Sequence, residues 1–228
     1  MIPALDEERA IAGMLDGLDR SLVDEILVGD NGSRDRTAEV ARAHGATVVS
    51  VPERGYGAAC LGALARLSPE AQIVAFMDAD GSDDPAQLAQ LLGPILLDQA
   101  DLVIGSRTLG RAERGALTPP QRFGNWLATR LMRLLYGRRY TDLGPFRAIR
   151  RSTLDLIGMR DRRFGWTVEM QVRALQVGAR VQELPVAYRK RIGKSKVSGT
   201  LSGALEAGWG ILSTIVRLWA RPKNVSKG

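Results

Sequence analysis

Hydrophobic and polar positions along the first hundred residues follow the pattern of a chain that changes repeatedly between strand and helix. Apolar runs typical of buried strands occupy residues 25–28, 47–51, 73–77 and 101–104. Segments with the periodicity and end signals of helices lie beside them, at residues 6–18, 33–44, 57–67 and 85–100. This alternation is typical of a mostly parallel sheet with helices on both faces. We therefore predict an α/β fold whose ligands bind beyond the carboxyl ends of the strands.

The second half of the chain predicts two longer helices before its C-terminal part, at residues 123–136 and 166–177. The first of these carries an apolar stripe made of Phe123, Leu127, Leu131 and Leu134. Arginines edge the stripe, so it suits a core helix with a basic outer face, a track for a lipid-like ligand, or an anionic membrane surface. In the second helix, we expect Glu169 to orient an arginine or a sugar hydroxyl.

A third helix is predicted at residues 201–220, where large apolar residues recur every three or four positions. They are Leu201, Leu205, Trp209, Leu212, Val216 and Trp219. The spacing favours packing of this amphipathic helix on its own domain, with docking on a membrane surface or a partner as the alternatives. The sequence contains no run of 18 uninterrupted apolar residues, so it predicts no membrane span.

Charge divides the chain into two unlike halves within a net charge of +7. Residues 1–100 hold 17 Asp and Glu against 7 Lys and Arg, whereas residues 101–228 hold 8 against 25. An acidic half suits a cation, and a basic half suits phosphates, acidic lipid headgroups or nucleic acid, unless its arginines are simply solvated. The single cysteine, Cys60, excludes an intramolecular disulfide, and the single histidine, His44, excludes a site built from several histidines.

The densest candidate chemistry follows the apolar run 73–77, where four carboxylates occur within seven residues. Carboxylates crowded at a strand end repel one another unless a cation lies among them, so Asp78 and Asp80 are predicted ligands of Mg²⁺ or Mn²⁺. A plain acidic turn is the alternative. Asp83 and Asp84 are better placed to cap the helix that begins at Pro85.

Other predicted strand ends are also polar. Pro3 to Glu7 follow the first strand, of which little more than Met1 and Ile2 is present, so the recorded start of the chain suggests truncation. Asp30 and Asn31 follow the second strand and suit hydrogen bonds to a base or a ribose. The Arg54-Gly-Tyr-Gly57 turn precedes a helix and resembles a phosphate-binding turn, although two glycines make any tight turn.

Taken in order, these motifs resemble family 2 glycosyltransferases of the GT-A (Rossmann-like) fold. The similarity rests on residues 2–8, 28–37, 54–57, 78–80 and 105–107. It continues through residues 141–147, Glu169-Met170 and residues 191–200, which are similar to the branch containing dolichol-phosphate mannosyltransferase and bacterial polyprenyl-phosphate glycosyltransferases. The resemblance implies one catalytic domain at residues 1–200, with a nucleotide-sugar half (1–106) and an acceptor half (107–200), followed by a C-terminal helix and tail (201–228).

The resemblance implies that a hexose leaves a nucleoside-diphosphate sugar with inversion at the anomeric carbon. The residues expected to hold the nucleotide are Pro3, Leu5, Glu7, Asp30, Gly57 and Asp78. Asp78 and Asp80 are expected to face the metal-bridged diphosphate. Arg107 is expected to bind phosphate through its planar fork.

The acceptor half offers an isolated carboxylate, Asp142, within a stretch of fourteen arginines and four acids between residues 107 and 163. Asp142 is predicted to act as an acid/base or to orient the acceptor, with Arg147 as its ion-pair partner. A phosphate acceptor needs orientation more than deprotonation, whereas a hydroxyl needs a base. The predicted acceptor or phosphate ligands are Arg122, Arg147, Arg191, Lys194, Ser195 and Lys196, the last four on a closing loop.

These features favour a cytoplasmic enzyme, peripheral on the inner face of the cytoplasmic membrane, with a polyprenyl-phosphate acceptor. Transfer to a soluble or saccharide hydroxyl is the first alternative, and a homo-oligomer is left open. A sugar-phosphate nucleotidylyltransferase would have a basic, glycine-rich turn after its first strand, where this chain is acidic. A nucleic-acid-binding module would explain the basic half but leaves the acidic strand ends without a role, so we expect no nucleic-acid partner.

Overall fold

The computed structural model describes residues 1–193 and 201–220 of the 228-residue chain. Its strands are β1 (Ile2–Ala4), β2 (Leu27–Asp30), β3 (Thr47–Ser50), β4 (Ile73–Phe76), β5 (Leu102–Ala112), β6 (Arg147–Arg150) and β7 (Val181–Tyr188). Its α-helices are α1 (Ile11–Asp16), α2 (Thr37–Ala43), α3 (Tyr56–Leu64), α4 (Leu88–Leu96), α5 (Pro119–Tyr136), α6 (Arg151–Ile157), α7 (Trp166–Gln176) and α8 (Leu201–Ala220). Short 3₁₀ turns lie at Arg20–Leu22 and Pro85–Gln87.

The strands form two hydrogen-bonded groups that meet at the start of the chain. Strands β1, β2 and β3 are parallel neighbours, and the other group has the order β4-β6-β5-β7. The Met77 N–H donates to the Met1 carbonyl (3.1 Å) and the Met1 amino group donates to the Ala75 carbonyl (2.9 Å), which places β1 beside β4. Only β6 pairs antiparallel with its neighbours among the described strands. The predicted mostly parallel α/β sheet is confirmed.

Several element bounds differ from the predicted ones. Helix α1 begins at Ile11 rather than at residue 6, because residues 6–8 bond instead to the turn that follows β2. Strand β5 runs to Ala112, since its second part pairs with β7 beyond an irregular register. Strand β6 was not predicted. Its four residues are flanked by arginines and carry no alternation long enough to read as a strand.

Apolar side chains pack on both faces of the sheet. On one face, Ile11, Leu15 and Leu91 of the helices meet Val103 and Ala148 of the strands. The other cluster joins the opposite side chains of β4, β5 and β6 to helices α3, α5, α7 and α8. Successive strand residues alternate between the clusters, as a pleated sheet requires. Buried on both faces, the sheet holds its polar groups at its ends.

In helices α8 and α5, the face that packs on the core differs from the one that the positions of the large apolar residues predicted. In α8 the buried residues are Thr214, Ile215 and Leu218, whereas Trp209 is 75% exposed and Trp219 is 52% exposed. The helix packs on its own domain as predicted, but of the described stripe residues only Leu212 packs against the core, while Leu205, Trp209, Val216 and Trp219 are exposed. Of the described residues, none forms a helix long and apolar enough to cross a membrane.

Helix α5 shows the same reversal in part. Ala128 and Met132 are its buried residues, while Phe123 and Leu134 of the predicted stripe are largely exposed. The helix begins at a capping box in which Thr118 and Gln121 each bond to the other's backbone N–H. Small and flexible side chains fill the contact with the sheet, and the largest apolar side chains face outward.

Gly29 is predicted to be essential for the contact between β2 and α3. A Cβ at this position would lie 2.3 Å from the Ala59 carbonyl oxygen, so the helix must move if any side chain is added. Gly29→Ala should lower the free energy of unfolding by about 1–3 kcal/mol or more, measured by urea denaturation. Gly13→Ala is the matched control, because a Cβ there meets nothing within 4 Å in the middle of α1. Equal destabilisation by both substitutions would contradict this account.

Candidate active site

A cavity of about 320 Å³ opens at the carboxyl ends of β1 and β4, and we call it the strand-end cleft. Six residues predicted to bind a nucleotide, a metal or a phosphate line it: Pro3, Leu5, Glu7, Asp78, Asp80 and Arg191. They come from three separate parts of the chain. The parallel arrangement of β1 and β4 brings the first five to one edge of the sheet, as predicted.

Two residues predicted for the same site do not line the cleft. Asp30 accepts a hydrogen bond from the Ser33 N–H (3.2 Å) and closes the turn after β2. The Gly57 N–H donates to the Arg163 carbonyl (3.1 Å), and a Cβ on Gly57 would lie 2.0 Å from the Asp161 carbonyl oxygen. Gly57 thus permits close packing of two loops instead of contacting a ligand.

Asn31, predicted together with Asp30 to bond a base or a ribose, lines the cleft. Its side chain donates to the carbonyls of Val51 (3.2 Å) and Glu53 (2.6 Å) and accepts from the Gly55 N–H (2.8 Å). These bonds hold the turn at residues 54–56 against the cleft. Asn31 therefore shapes the turn at residues 54–56, which resembles a phosphate-binding turn. Its place next to Asp30, at the end of β2, is what pointed to it in the sequence.

Three carboxyl groups crowd the end of β4. Burial and the charge of Asp80 raise the pKa of Asp78 to about 7, although Tyr56 donates a hydrogen bond to it (3.0 Å). Burial and the charge of Asp78 raise the pKa of Asp83 well above its ordinary value, and Asp83 Oδ1 is buried without a hydrogen-bond partner. Asp83 therefore lies in the acidic cluster instead of capping a helix, which is the role that Asp84 has.

Asp80 is held firmly within this cluster. Its Oδ1 accepts from the backbone N–H (2.9 Å) and the hydroxyl (2.5 Å) of Ser82, and its Oδ2 pairs with Arg191 (2.5 Å). Arg191 is thus placed at the cleft as predicted. Lys194, Ser195 and Lys196 lie outside the described residues.

The acidic cluster suits a divalent cation that takes only some of its ligands from the protein. The described residues contain no group of three or more Asp, Glu, His or Cys side chains arranged to hold a metal alone. Mg²⁺ and ions like it commonly use one or two carboxylates and take their remaining ligands from water and phosphates. Burial and the neighbouring carboxylate charges together raise the pKa of Asp78 and of Asp83, and a cation among them would favour their ionised forms.

Asp142 is fully buried and forms an ion pair with Arg107, not with Arg147 as predicted. Its Oδ2 accepts from the Arg107 backbone N–H (2.7 Å) and Nε (2.8 Å). Its Oδ1 accepts from Arg107 Nη2 (2.7 Å) and from the Leu143 N–H (2.8 Å). A carboxylate has about four acceptor sites, and here each of them has a donor.

Glu183 of β7 supports this pair, and sequence reasoning missed it. Its carboxylate accepts from the backbone N–H (2.9 Å) and hydroxyl (2.8 Å) of Thr141 and from the Asp142 N–H (3.1 Å). The turn that carries Asp142 is therefore fixed to the sheet. Glu183 lies 41 residues away in the chain, and no local pattern signals the contact.

Arg147 is a structural residue, contrary to its prediction as an acceptor ligand. It is fully buried, and its guanidinium donates to the backbone carbonyls of Thr167 (2.8 Å), Leu143 (3.4 Å) and Gly144. Burial lowers its pKa to about 10. A side chain so enclosed has no surface with which to contact an acceptor.

A second cavity, of about 840 Å³, lies between β5 and α5, and we call it the arginine cavity. Six arginines line it: Arg107, Arg111, Arg122, Arg130, Arg133 and Arg139. Asp142 and Trp126 also face it. Arg107, predicted to bind phosphate, and the predicted acceptor residue Arg122 therefore share one cavity, next to a tryptophan, and Arg191 lies in the other one.

The segment 160–165 forms part of the cleft wall and is anchored by Glu169. Glu169 accepts from the N–H groups of Arg160 (3.0 Å) and Asp161 (2.6 Å) and pairs with Arg173 (2.7 Å). It orients an arginine, as predicted. Arg163 and Phe164 of this segment line the strand-end cleft.

Comparison with known proteins identifies the class. Residues 1–158 match the family described as Glycosyl transferase family 2. An uncharacterised glycosyltransferase of Mycobacterium tuberculosis is 41% identical over 211 residues, covering 91% of this chain and 92% of that protein. A dolichyl-phosphate hexose transferase of Haloferax volcanii is 34% identical over 205 residues, covering 87% and 86%.

A solved structure is similar over nearly the whole chain. Glucosyl-3-phosphoglycerate synthase from Mycobacterium tuberculosis, crystallised with Mn²⁺, uridine diphosphate and glucosyl-3-phosphoglycerate, has a TM-score of 0.75 and 25% identity, covering 98% of this chain and 80% of that one. The fold is that of a GT-A glycosyltransferase. The chain belongs to glycosyltransferase family 2.

Asp83→Asn is predicted to stabilise the protein when divalent cations are removed, because it takes one charge out of the cluster. A carboxyl group whose pKa rises on folding makes folding less favourable above its unfolded pKa of about 4. The free energy of unfolding, measured in urea with EDTA, should therefore exceed that of the unsubstituted protein by about 1 kcal/mol or more at pH 8, with little difference near pH 4.

The control for this experiment is Asp84→Asn. Asp84 pairs with Arg189 (2.8 Å) at the surface, so its substitution should give no gain at either pH. A gain that is equal for the two variants, or one that does not change with pH, would show that crowding at Asp83 is not the cause.

Proposed function

We propose that this glycosyltransferase moves a hexose from a nucleoside-diphosphate sugar to a polyprenyl phosphate, with Mg²⁺ or Mn²⁺ bound at Asp78 and Asp80. The relative of Haloferax volcanii is named for transfer to dolichyl phosphate, which supports this acceptor class. The similar structure with Mn²⁺ and uridine diphosphate supports a metal-dependent nucleotide donor. We place the reaction at the inner face of the cytoplasmic membrane.

The donor would occupy the strand-end cleft. Pro3 and Leu5 supply an apolar wall for the base, and Glu7 supplies an acceptor for a ribose or base hydrogen. Asp78 and Asp80 would hold the cation, and Arg191 lies beside them to meet a phosphate. When bound, the cation offsets the negative charge that develops on the departing diphosphate.

The occupied carboxylate of Asp142 is the observation that carries the acceptor class. All four of its acceptor sites have donors, so it has no site left with which to take a proton from a hydroxyl. A phosphate monoester has a second pKa of about 6 and needs no base near neutral pH. Asp142 would then act as a positioning residue, holding the Arg107 fork in one orientation.

The arginine cavity would receive the acceptor phosphate. Arg122 presents a planar fork that matches phosphate oxygens, and Arg107, whose Nε and Nη2 are bound to Asp142, adds positive charge to the same cavity. Trp126 and Leu117 on the same wall offer apolar surface for the first prenyl units. A cavity that is both cationic and apolar suits a lipid phosphate better than it suits a neutral saccharide.

A small phosphorylated acceptor is the second candidate. The similarity to glucosyl-3-phosphoglycerate synthase, which was also crystallised with phosphoglyceric acid, favours it. The same arginines would meet its charges. The two candidates differ in whether the acceptor carries an apolar chain, and this difference can be tested directly.

Nucleotide binding should stabilise the protein only when the metal is present. With Mn²⁺ and UDP or GDP at a hundred times the dissociation constant, the free energy of unfolding should rise by about 2.7 kcal/mol. Asp80→Asn should remove this rise, and the neighbouring Asp84→Asn should keep it. Stabilisation by neither nucleotide, or an equal rise in both variants, would contradict the proposed donor site.

The acceptor is tested by supplying radiolabelled nucleotide sugar with an undecaprenyl phosphate, the matching alcohol, or 3-phosphoglycerate. Transfer to the lipid phosphate alone is expected, since the alcohol lacks the charge that the arginines bind. Arg122→Gln should raise KM for the lipid phosphate about tenfold by removing one charged hydrogen-bond donor. Arg114→Gln, outside the arginine cavity, is the control. Transfer only to 3-phosphoglycerate would establish the second candidate.

A further inference from the structure

Helices α5 and α8 expose large apolar side chains on adjoining surfaces, which together we call the docking face. Helix α5 contributes Phe123, Trp126 and Leu134, and α8 contributes Trp209, Val216 and Trp219. The helices are packed together, and the Tyr136 hydroxyl donates to the Ile215 carbonyl (2.8 Å). Three of the four tryptophans of the chain lie on this face. Tryptophan is favoured where one end of the side chain is apolar and the other is wet.

The charge around the docking face indicates what covers it. Residues 119–139 contain five arginines and no acidic residue. Two copies of the chain packed through this face would bring arginines together, whereas anionic lipid headgroups would pair with them. Arg130 already lies over the Trp126 ring, 5.7 Å from its centroid, so cationic and apolar groups alternate within one surface.

Helix α8 also touches the strand-end cleft. Glu206, on its first half, lines the cleft and pairs with Arg163 (3.2 Å). Further along the helix, Thr214 donates to Asp161 (3.3 Å) and Arg217 pairs with the same carboxylate (3.4 Å). A Cβ on Gly165 would lie 2.4 Å from the Thr214 hydroxyl, which shows how closely the helix approaches segment 160–165.

The other side of segment 160–165 contacts the first turn of α3 and the turn before it. The N–H groups of Gly57 and Ala58 donate to the carbonyls of Arg163 (3.1 Å) and Arg162 (2.9 Å). The Arg162 guanidinium pairs with Glu53 (2.6 Å). A continuous series of contacts therefore runs from the docking face, through α8 and segment 160–165, to the turn that lines the cleft.

We propose that an anionic membrane surface binds the docking face and thereby tightens nucleotide binding in the strand-end cleft. This inference rests on the proposed function and adds a regulatory link to it. The Arg163–Glu206 ion pair is exposed and therefore weak, so the first half of α8, which carries Glu206, has freedom in solution to move away from the cleft. Lipid contact along the opposite side of α8 restricts that movement, and the cleft wall is then complete before the donor arrives.

Vesicle binding and nucleotide affinity test the two halves of the proposal separately. Sedimentation with vesicles of phosphatidylcholine and phosphatidylglycerol in equal parts should capture the protein, and vesicles of phosphatidylcholine alone should capture much less. The dissociation constant for UDP or GDP with Mn²⁺, measured by equilibrium dialysis, should fall by about fivefold when the mixed vesicles are added. Because coupling is reciprocal, the nucleotide should tighten vesicle binding by the same factor.

Trp209→Glu tests the docking face. It should weaken vesicle binding and remove the fall in the dissociation constant, while nucleotide affinity without vesicles stays unchanged, because Trp209 does not line the cleft. Leu97→Glu is the matched control, since Leu97 is 70% exposed at the end of α4, a helix outside the docking face. Equal effects of the two substitutions on vesicle binding would overturn the assignment of this face.

The double variant Glu206→Gln with Thr214→Val tests the link. It should bind vesicles as the unsubstituted protein does and lose the vesicle-dependent gain in nucleotide affinity. An unchanged gain in this variant, or an unsubstituted protein that binds vesicles with no gain in nucleotide affinity, would overturn the coupling. Dimerisation that Trp209→Glu abolishes, without vesicle binding, would show that the face joins two copies.

Failure of the proposed function has a different signature. Nucleotides would then not bind with or without vesicles, although sedimentation with vesicles would still report on the docking face. The two readouts therefore separate a wrong donor site from a wrong regulatory link.

Discussion

The buried charge of Asp142 is the constraint on which the arrangement of the two cavities depends. A carboxylate in the interior costs several kcal/mol unless it is paired and fully hydrogen-bonded. Arg107 meets that requirement only if β5 lies against the turn at residues 141–143, and Glu183 holds the same turn from β7. The Arg107 guanidinium consequently has one position, in the wall of the arginine cavity and near enough to Asp78 and Asp83 to offset a small part of the rise in their pKa.

The opposite charges of the two halves of the chain meet at this boundary. Acidic groups at the ends of β1 and β4 form the strand-end cleft, and arginines from β5 and α5 form the neighbouring cavity. A cation bound at one and a phosphate bound at the other would complement each other electrostatically. Arg191 connects the acidic and the basic regions. It is a basic residue that follows β7, and its side chain pairs with Asp80 in the acidic cluster.

Most of the element types, and the gathering of Pro3, Leu5, Glu7, Asp78 and Asp80, were predictable from the sequence. Strand ends carry their polar groups locally, and parallel strands must place those ends at one edge. Strand β6 was not predictable, because a four-residue strand has almost no periodic signal. The exposed faces of α5 and α8 were also mistaken. Large apolar residues were taken to face the core, where the space is filled instead by residues such as Ala128, Met132 and Ile215.

The sequence by itself determined the class of fold, the family and the edge of the sheet at which the polar strand ends gather, because these follow from short-range patterns repeated in order along the chain. Only the tertiary structure decided which arginine pairs with Asp142, since Arg107 lies 35 residues away and Arg147 only five. Charge pairing in the interior depends on which strands lie side by side, not on distance along the chain. For the same physical reason, the burial of Arg147 and the outward face of Trp209 could be read only once the elements were packed.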